Sequence, residues 1–355
     1  MKLRLILGLA IGLALIAALF AAFSTAAIGH ALATLGWSGF AAIVAFQLGL
    51  TVIMGIAWWL LGRDRLDAHP WRFVWGRLVR DAASQALPLS QLGGMVLGAR
   101  ALAVSGVEGA FATASLVADV GVELTALIFY ALLGLALLWW LRPASGLIAP
   151  IALGVVAMAA LAAAFVAAQV RAGGLIGGWL ARRAQRWSEA SRQYAFSLPW
   201  AMRRIHRRYA TLALALLLHV VCWMLTGVQA WLTFRLMHVR VGFGAALVID
   251  SLAFGARGIL FMVPSGIGVQ EGAYVLLGAQ FGVGAEVALA VSLARRGRDL
   301  VIAVPVLVAL QYCEGRRLWR RPARGSIVTP AETGLPPGPP AAPARRPAAL
   351  PPPPA

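Results

Sequence analysis

Residues 263–272 read Val263-Pro264-Ser265-Gly266-Ile267-Gly268-Val269-Gln270-Glu271-Gly272. Residues 244–263 before them are mostly apolar, and Ala273 to Gly284 after them is apolar again. Proline removes a backbone donor and glycine favours turns, so a helix is not expected to run through this stretch. In lipid, a broken backbone is tolerated only where it is buried in protein or lines a polar cavity. An ionisable residue such as Glu271 at that depth is a functional-site hypothesis by default. The stretch predicts a chain that handles something polar inside a membrane.

Composition supports a membrane setting. Of 355 residues, 61% are hydrophobic and 12% charged, against roughly 45–50% and about 25% in soluble domains. The net charge of +18 raises nucleic acid as a partner. The positives, however, gather between apolar runs and in the tail, as in cytoplasmic membrane loops, and lipid head groups account for them better. Two cysteines, Cys222 and Cys313, lie far apart and give no disulfide framework.

Apolar runs of spanning length predict spans at about 3–23, 40–61, 111–141, 147–170 and 210–237, and a last segment at about 287–312. A cleaved signal peptide is the rival reading of the first. Residues 24–39 carry no Arg or Lys and are expected as an outer loop. Residues 63–81 hold Arg63, Arg65, Arg72, Arg77 and Arg80, and residues 171–208 hold nine arginines, so both are expected as cytoplasmic loops. The stretch Leu87-Pro88-Leu89-Ser90-Gln91-Leu92-Gly93-Gly94 is too interrupted for an ordinary span and forms a second broken segment. Residues 322–355 contain twelve of the 19 prolines and cannot bury a core.

Charge alternation places both termini in the cytoplasm. The expected fold is an all-α integral membrane protein of about six transmembrane helices plus two Pro/Gly-broken hairpins. Residues 1–315 would form the polytopic domain and 316–355 a basic, Pro-rich, disordered cytoplasmic tail. Parity holds whether residues 244–283 are re-entrant or cross twice. Leu87-Pro88 with Gly93-Gly94 echoes Val263-Pro264 with Gly268 and Gly272. Entry from opposite sides would make the two an inverted pair, the sequence pointer to a transporter's binding site.

The charged residues at membrane depth are the candidate site. Asp119 and Glu123 are four apart, on one helix face, suited to carrying protons or meeting a cationic head group. Asp250 and Arg257 are two turns apart and read as a structural ion pair or a substrate contact. Glu271 needs a partner, from Arg257 or from Arg295, Arg296 and Arg298, or else a proton. The arginine group, with Asp299, suits bidentate binding of phosphate or carboxylate, or else marks a charged kink at a membrane surface. With Pro88, Gln91, Gly93, Gly94, Arg100, Pro264, Gly268, Gln270 and Gly272, these residues make up the expected polar path. No histidine pair has metal-ligand spacing, and His219 reads as a packed residue. No nucleotide loop and no nucleophile elbow appears, so neither a metal nor a cofactor is expected.

The motifs Ala86-Leu87-Pro88…Gln91-Leu92-Gly93-Gly94…Arg100, Ala246-Leu247-Val248-Ile249-Asp250-Ser251-Leu252, Val263-Pro264…Gly268-Val269-Gln270-Glu271-Gly272, Leu276-Leu277-Gly278-Ala279 and Leu293-Ala294-Arg295-Arg296-Gly297-Arg298-Asp299-Leu300 carry a resemblance. The chain resembles the flippase-like membrane domain shared with lysylphosphatidylglycerol synthases, and within it the hopanoid-biosynthesis-associated HpnL type. Met95 stands where that pattern suggests an acid, and Asp250 where a glutamate is common. The resemblance covers about residues 35–315 and implies lipid translocation or export in the inner membrane. Nothing after residue 315 is expected to fold into the synthases' soluble transferase, so the chain is not expected to be an enzyme. The sequence also admits two other readings. One is a membrane enzyme modifying a lipid head group, with Asp119, Glu123 and Glu271 as acid/base groups. The other is a non-catalytic subunit of a lipid-synthesis complex, meeting biosynthetic enzymes through its basic loops and tail.

Overall fold

A computed structural model describes residues 25–63, 69–86, 90–183, 189–259 and 268–320. The first expected span, Pro88, Pro264 and the Pro-rich tail lie outside them. The described residues form ten helices and no strand: α1 (Thr25–Gly62), α2 (Pro70–Ala86), α3 (Ser90–Val104), α4 (Gly109–Leu141), α5 (Ile148–Arg183), α6 (Glu189–His206), α7 (Tyr209–Leu236), α8 (Phe243–Ile259), α9 (Val269–Ala279) and α10 (Ala285–Arg320). The chain divides into two compact units, Met1–Tyr312 and Cys313–Ala355.

Four of the described helices are long and apolar enough to cross a membrane: Ile28–Gly62, Gly109–Leu141, Ile148–Gln169 and Tyr209–Leu236. The chain is a multi-pass membrane protein, all-α as its sequence predicts. Three expectations about loops are corrected. Residues 25–39 are helical, because their alanines and leucines favour helix, and the break expected there is reduced to a kink at Gly36 (φ 62°, ψ 173°). The stretch 63–81 holds most of α2, and 171–208 holds the end of α5 and all of α6. Both α2 and α6 combine arginines with apolar residues at helical spacing, so charge alone misreads them as loops.

The last segment is one continuous helix, α10, which carries Pro305 inside it. Its arginines lower its hydropathy, but Arg295 and Arg298 are buried. They therefore belong to the bundle interior and not to a kink at a membrane surface.

Two short-armed hairpins enter the bundle from opposite ends. Gly62 meets Phe73 where α1 hands over to α2, and Gly106 meets Arg72 where α3 leaves the hairpin. Both ends of the α2–α3 hairpin therefore share the end of the bundle where α4 begins. Its arms lie close because glycine lets the backbones approach. A Cβ on Gly94 would sit 2.0 Å from Ser84 Oγ and 2.5 Å from the Arg80 carbonyl oxygen, and one on Gly98 would sit 2.8 Å from Arg80 Cβ.

The α8–α9 hairpin opens at the other end, where Gly244 meets Leu141 and Ser145 donates to Gln280 at 3.0 Å. Its 17- and 11-residue arms rise ~25 Å and ~16 Å, short of the ~30 Å hydrocarbon core. The main core cluster packs this hairpin against α1, α4, α7 and α10 through Ile43, Leu138, Phe234, Ile249, Tyr274 and Leu289. A second cluster, including Trp58, Phe73, Leu102 and Phe111, packs the α2–α3 hairpin. Exposed Trp139 and Trp140 ring one end of the bundle, and exposed Trp71, Trp200 and Tyr209 the other, as interfacial anchors do.

Candidate functional site

The described end of α2, the end of α8 and the first turn of α9 meet inside the bundle. Gln85, one residue before the end of α2, donates from Nε2 to Asp299 Oδ2 at 3.3 Å on α10. Its Oε1 accepts from Arg257 Nη2 at 3.4 Å, near the end of α8. Arg257 Nη1 donates to Gln270 Oε1 at 2.7 Å in the first turn of α9, and Gln270 Nε2 donates to Ser292 Oγ at 3.0 Å. Among the described residues the side-chain hydrogen bonds of Arg257 go to two amides, and its guanidinium stands 5.3 Å from the Phe254 ring centre. The sequence reading paired Arg257 with Asp250 or Glu271. Neither carboxylate forms an ion pair with it.

Glu271 pairs with Arg296, whose Nε donates to Oε1 at 2.8 Å. The other oxygen, Oε2, accepts from the Gly268 backbone N–H at 2.8 Å. Gly268 enters α9 at φ 79°, a conformation only glycine adopts freely. Glu271 thus caps the helix that begins at the break and neutralises Arg296, one of the partners its sequence context offered, so of the two readings of this acid the ion pair is the one seen. Arg296 Nη2 is buried and has no hydrogen-bond partner. On the neighbouring face of α9, a Cβ on Gly272 would meet nothing within 4 Å, so there is open space beside Gly272.

Asp250 anchors five helices. Its Oδ2 accepts from Tyr130 Oη at 2.8 Å and Thr226 Oγ1 at 3.0 Å, and its Oδ1 from Tyr274 Oη at 2.7 Å. Arg295 Nη1 lies 2.6 Å from Oδ1, an ion pair with poor hydrogen-bond angles, while Arg295 Nη2 has no partner. Three hydroxyl donors and a cation compensate a carboxylate that is fully buried. Gly134 and Gly227 make the approach possible: a Cβ there would strike Ser251 Oγ at 1.9 Å and the Tyr130 hydroxyl at 2.6 Å. Arg298 chelates Asp299 through Nε and Nη2 at 2.9 and 2.7 Å and donates from Nη1 to Gln229 Oε1.

Asp119 and Glu123 share a face, as their spacing predicts, but their partners come from a stretch read as loop. Arg77 Nη2 lies 2.6 Å from Glu123 Oε1, and Arg80 Nη1 lies 2.9 Å from Asp119 Oδ2. Arg80 Nη2 also pairs with Glu123 Oε2, and Arg77 Nη1 with Asp119 Oδ2 at 3.4 Å. These carboxylates therefore meet two resident guanidiniums. His219, read from sequence as a packed residue, turns Nε2 toward Asp119 Oδ1 at 3.5 Å.

Of the remaining candidates, Gly93 and Gly94 lie on α3 in the tight hairpin, Gln91 is in its first turn, and Arg100 is exposed on the same helix.

The family model described as the lysylphosphatidylglycerol synthase TM region matches residues 5–306. The chain belongs to that family. No curated protein and no solved structure matches it significantly. Membership gives the bundle a lipid-related role in a membrane. Both buried polar clusters and both broken hairpins fall inside the matched family region.

Residues missed by sequence reasoning are Arg77, Arg80, His219, Gln85, Tyr130, Thr226 and Tyr274. The arginines carried a signal. Arg77, Arg80 and Asp81 sit at i, i+3 and i+4, on one face of a helix, and two buried acids on α4 require cations. The tyrosines are separated by more than a hundred residues and carry none.

Proposed function

We propose that the chain translocates a polar-headed lipid across the bacterial inner membrane, with both termini in the cytoplasm. The α2–α3 and α8–α9 hairpins act as an inverted pair, re-entrant from opposite faces, and the head group passes where their tips meet. The apolar part of the lipid stays in the bilayer. A hopanoid or another lipid with a negatively charged head group fits this reading. The basic cytoplasmic stretches attract anionic lipid head groups, and biosynthetic enzymes that supply the lipid are the expected protein partners. The reading assigns no enzymatic step and no cofactor to the chain.

The observation that carries it is Arg257, a half-buried guanidinium held at the junction of the tips by two amides. Arg257, Arg295, Arg296 and Arg298 face Asp250, Glu271 and Asp299, so the described residues around the junction hold one cation more than acids. A buried cation in excess attracts an anion, and the arginine fork matches phosphate or carboxylate. Half-helix ends at mid-bilayer, flanked by opposed hairpins, are the arrangement in which transporters bind substrate.

The test is transbilayer movement of labelled anionic phospholipid and hopanoid analogues in liposomes holding wild-type or Glu271→Gln protein. Gln at 271 still accepts the Gly268 N–H but removes the charge that sets Arg296. Wild-type movement with loss in the variant supports the reading; equal movement in both contradicts this path.

A further inference from the structure

We propose that Asp119 and His219 form a buried proton-binding site. His219 Nδ1 lies 2.9 Å from the Ala215 carbonyl oxygen. A carbonyl oxygen only accepts, so Nδ1 carries the hydrogen and donates. In the neutral ring Nε2 is then a lone pair, and it faces another lone pair, on Asp119 Oδ1, at 3.5 Å. Both residues are fully buried, and neither of these two atoms has a hydrogen-bond partner. Two buried acceptors this close together, each without a donor, are a costly arrangement. One proton on Nε2 converts it to a donor and satisfies both.

The surrounding charges favour the same occupant. From α2, Arg77, Arg80 and Asp81 face the site; from α4, Glu123 joins Asp119; from α7, Cys222 lies beside His219 in the helix; from α1, Met54 Sδ lies 3.1 Å from Arg77 Nη2. Three carboxylates oppose two guanidiniums, so the cluster carries one negative charge while His219 is neutral. A bound proton brings it to zero. Asp119, Glu123 and His219 each bring an atom within 4.8 Å of the others, but a divalent cation would leave the cluster at +1 beside two arginines. Asp119 Oδ2 and both oxygens of Glu123 are already held by those arginines. The free acceptors are the pair that a single proton fits.

This site shares no side chain with the Arg257 junction, and whether it binds a proton does not depend on whether lipid moves. If the transport reading holds, it is where a proton gradient would couple to the α2–α3 hairpin, because Arg77 and Arg80 belong to that hairpin and share the carboxylates.

The test uses the full-length protein in nanodiscs with 15N-labelled histidine, the His219 signal being assigned by its loss in His219→Gln. In the wild type, Nε2 passes from the lone-pair to the protonated position as pH falls. Asp119→Asn moves that midpoint at least tenfold toward higher proton concentration. A second readout covers the case in which Asp119→Asn fails to fold. Wild-type thermal stability falls as rising pH strips the proton, whereas His219→Gln, whose amide is a permanent donor, loses that dependence. An Nε2 that never titrates, a midpoint unchanged by Asp119→Asn, or a pH dependence kept in His219→Gln overturns the proposal. So does displacement of the His219 signals by one equivalent of zinc, which would make the site metallic.

Discussion

Arg257 Nη1 donates to Gln270 Oε1 at 2.7 Å across the break between α8 and α9, so the cation at the junction is held by an amide and not by an acid. An arginine held this way keeps its charge available. It also joins the two arms of one hairpin and, through Gln85, the tip of the other.

If the tips meet as Gln85 and Arg257 indicate, Cys at both positions, with Cys222 and Cys313 replaced by Ser, will be joined by a short bifunctional thiol reagent. Gel mobility after reaction checks this. The control pair Cys at 100 and 257 will not cross-link, because Arg100 lies toward the opposite end of α3.

Asp250 is predicted to be the most stability-critical acid. Asp250→Asn leaves Arg295 buried without its counter-charge, which costs ~3–5 kcal/mol. Tyr274→Phe removes one hydrogen bond to a charged acceptor and costs ~1.5–3 kcal/mol. Thermal unfolding in detergent should rank Asp250→Asn below Tyr274→Phe, and both below wild type.

Two glycine substitutions should diverge. Gly94→Ala forces a Cβ against Ser84 and the Arg80 carbonyl oxygen, and overpacking of this kind costs ~1–3 kcal/mol. Gly272→Ala meets open space and gains ~0.5–1 kcal/mol of helix propensity. A larger side chain there, Gly272→Leu, should leave the melting temperature near wild type while slowing lipid movement, if the open space beside Gly272 is part of the path.

The breaks in the two hairpins were legible in the sequence because proline and glycine act locally, whereas the role of Glu271 as the cap of α9 was not: its sequence context showed only an acid in need of a partner or a proton. The spans α4 and α7 were legible from uninterrupted apolar runs. The partners of Asp119 and Glu123 were not, because Arg77 and Arg80 lie in a stretch where arginine also serves as a positive-inside signal. Composition does not distinguish an arginine that faces head groups from one that turns into the bundle. Nor does local spacing show that Asp250 would select Arg295, 45 positions away, over Arg257 seven positions away. That choice follows from how α10 packs beside α8, a tertiary fact. Residues 25–39 were misread for the reverse reason: absence of charge marked them as a loop, while their alanine content made them helix.

The most direct measurement is transbilayer movement of an anionic and a neutral-headed lipid in liposomes bearing wild-type or Arg257→Gln protein. Arg257 has amide partners and no carboxylate ion pair among the described residues, so its loss strands no buried acid and the variant should insert and melt as wild type does. The account predicts that wild type moves the anionic lipid and that Arg257→Gln reduces this at least tenfold. Anionic lipid moving at the wild-type rate in a correctly inserted Arg257→Gln protein would contradict it.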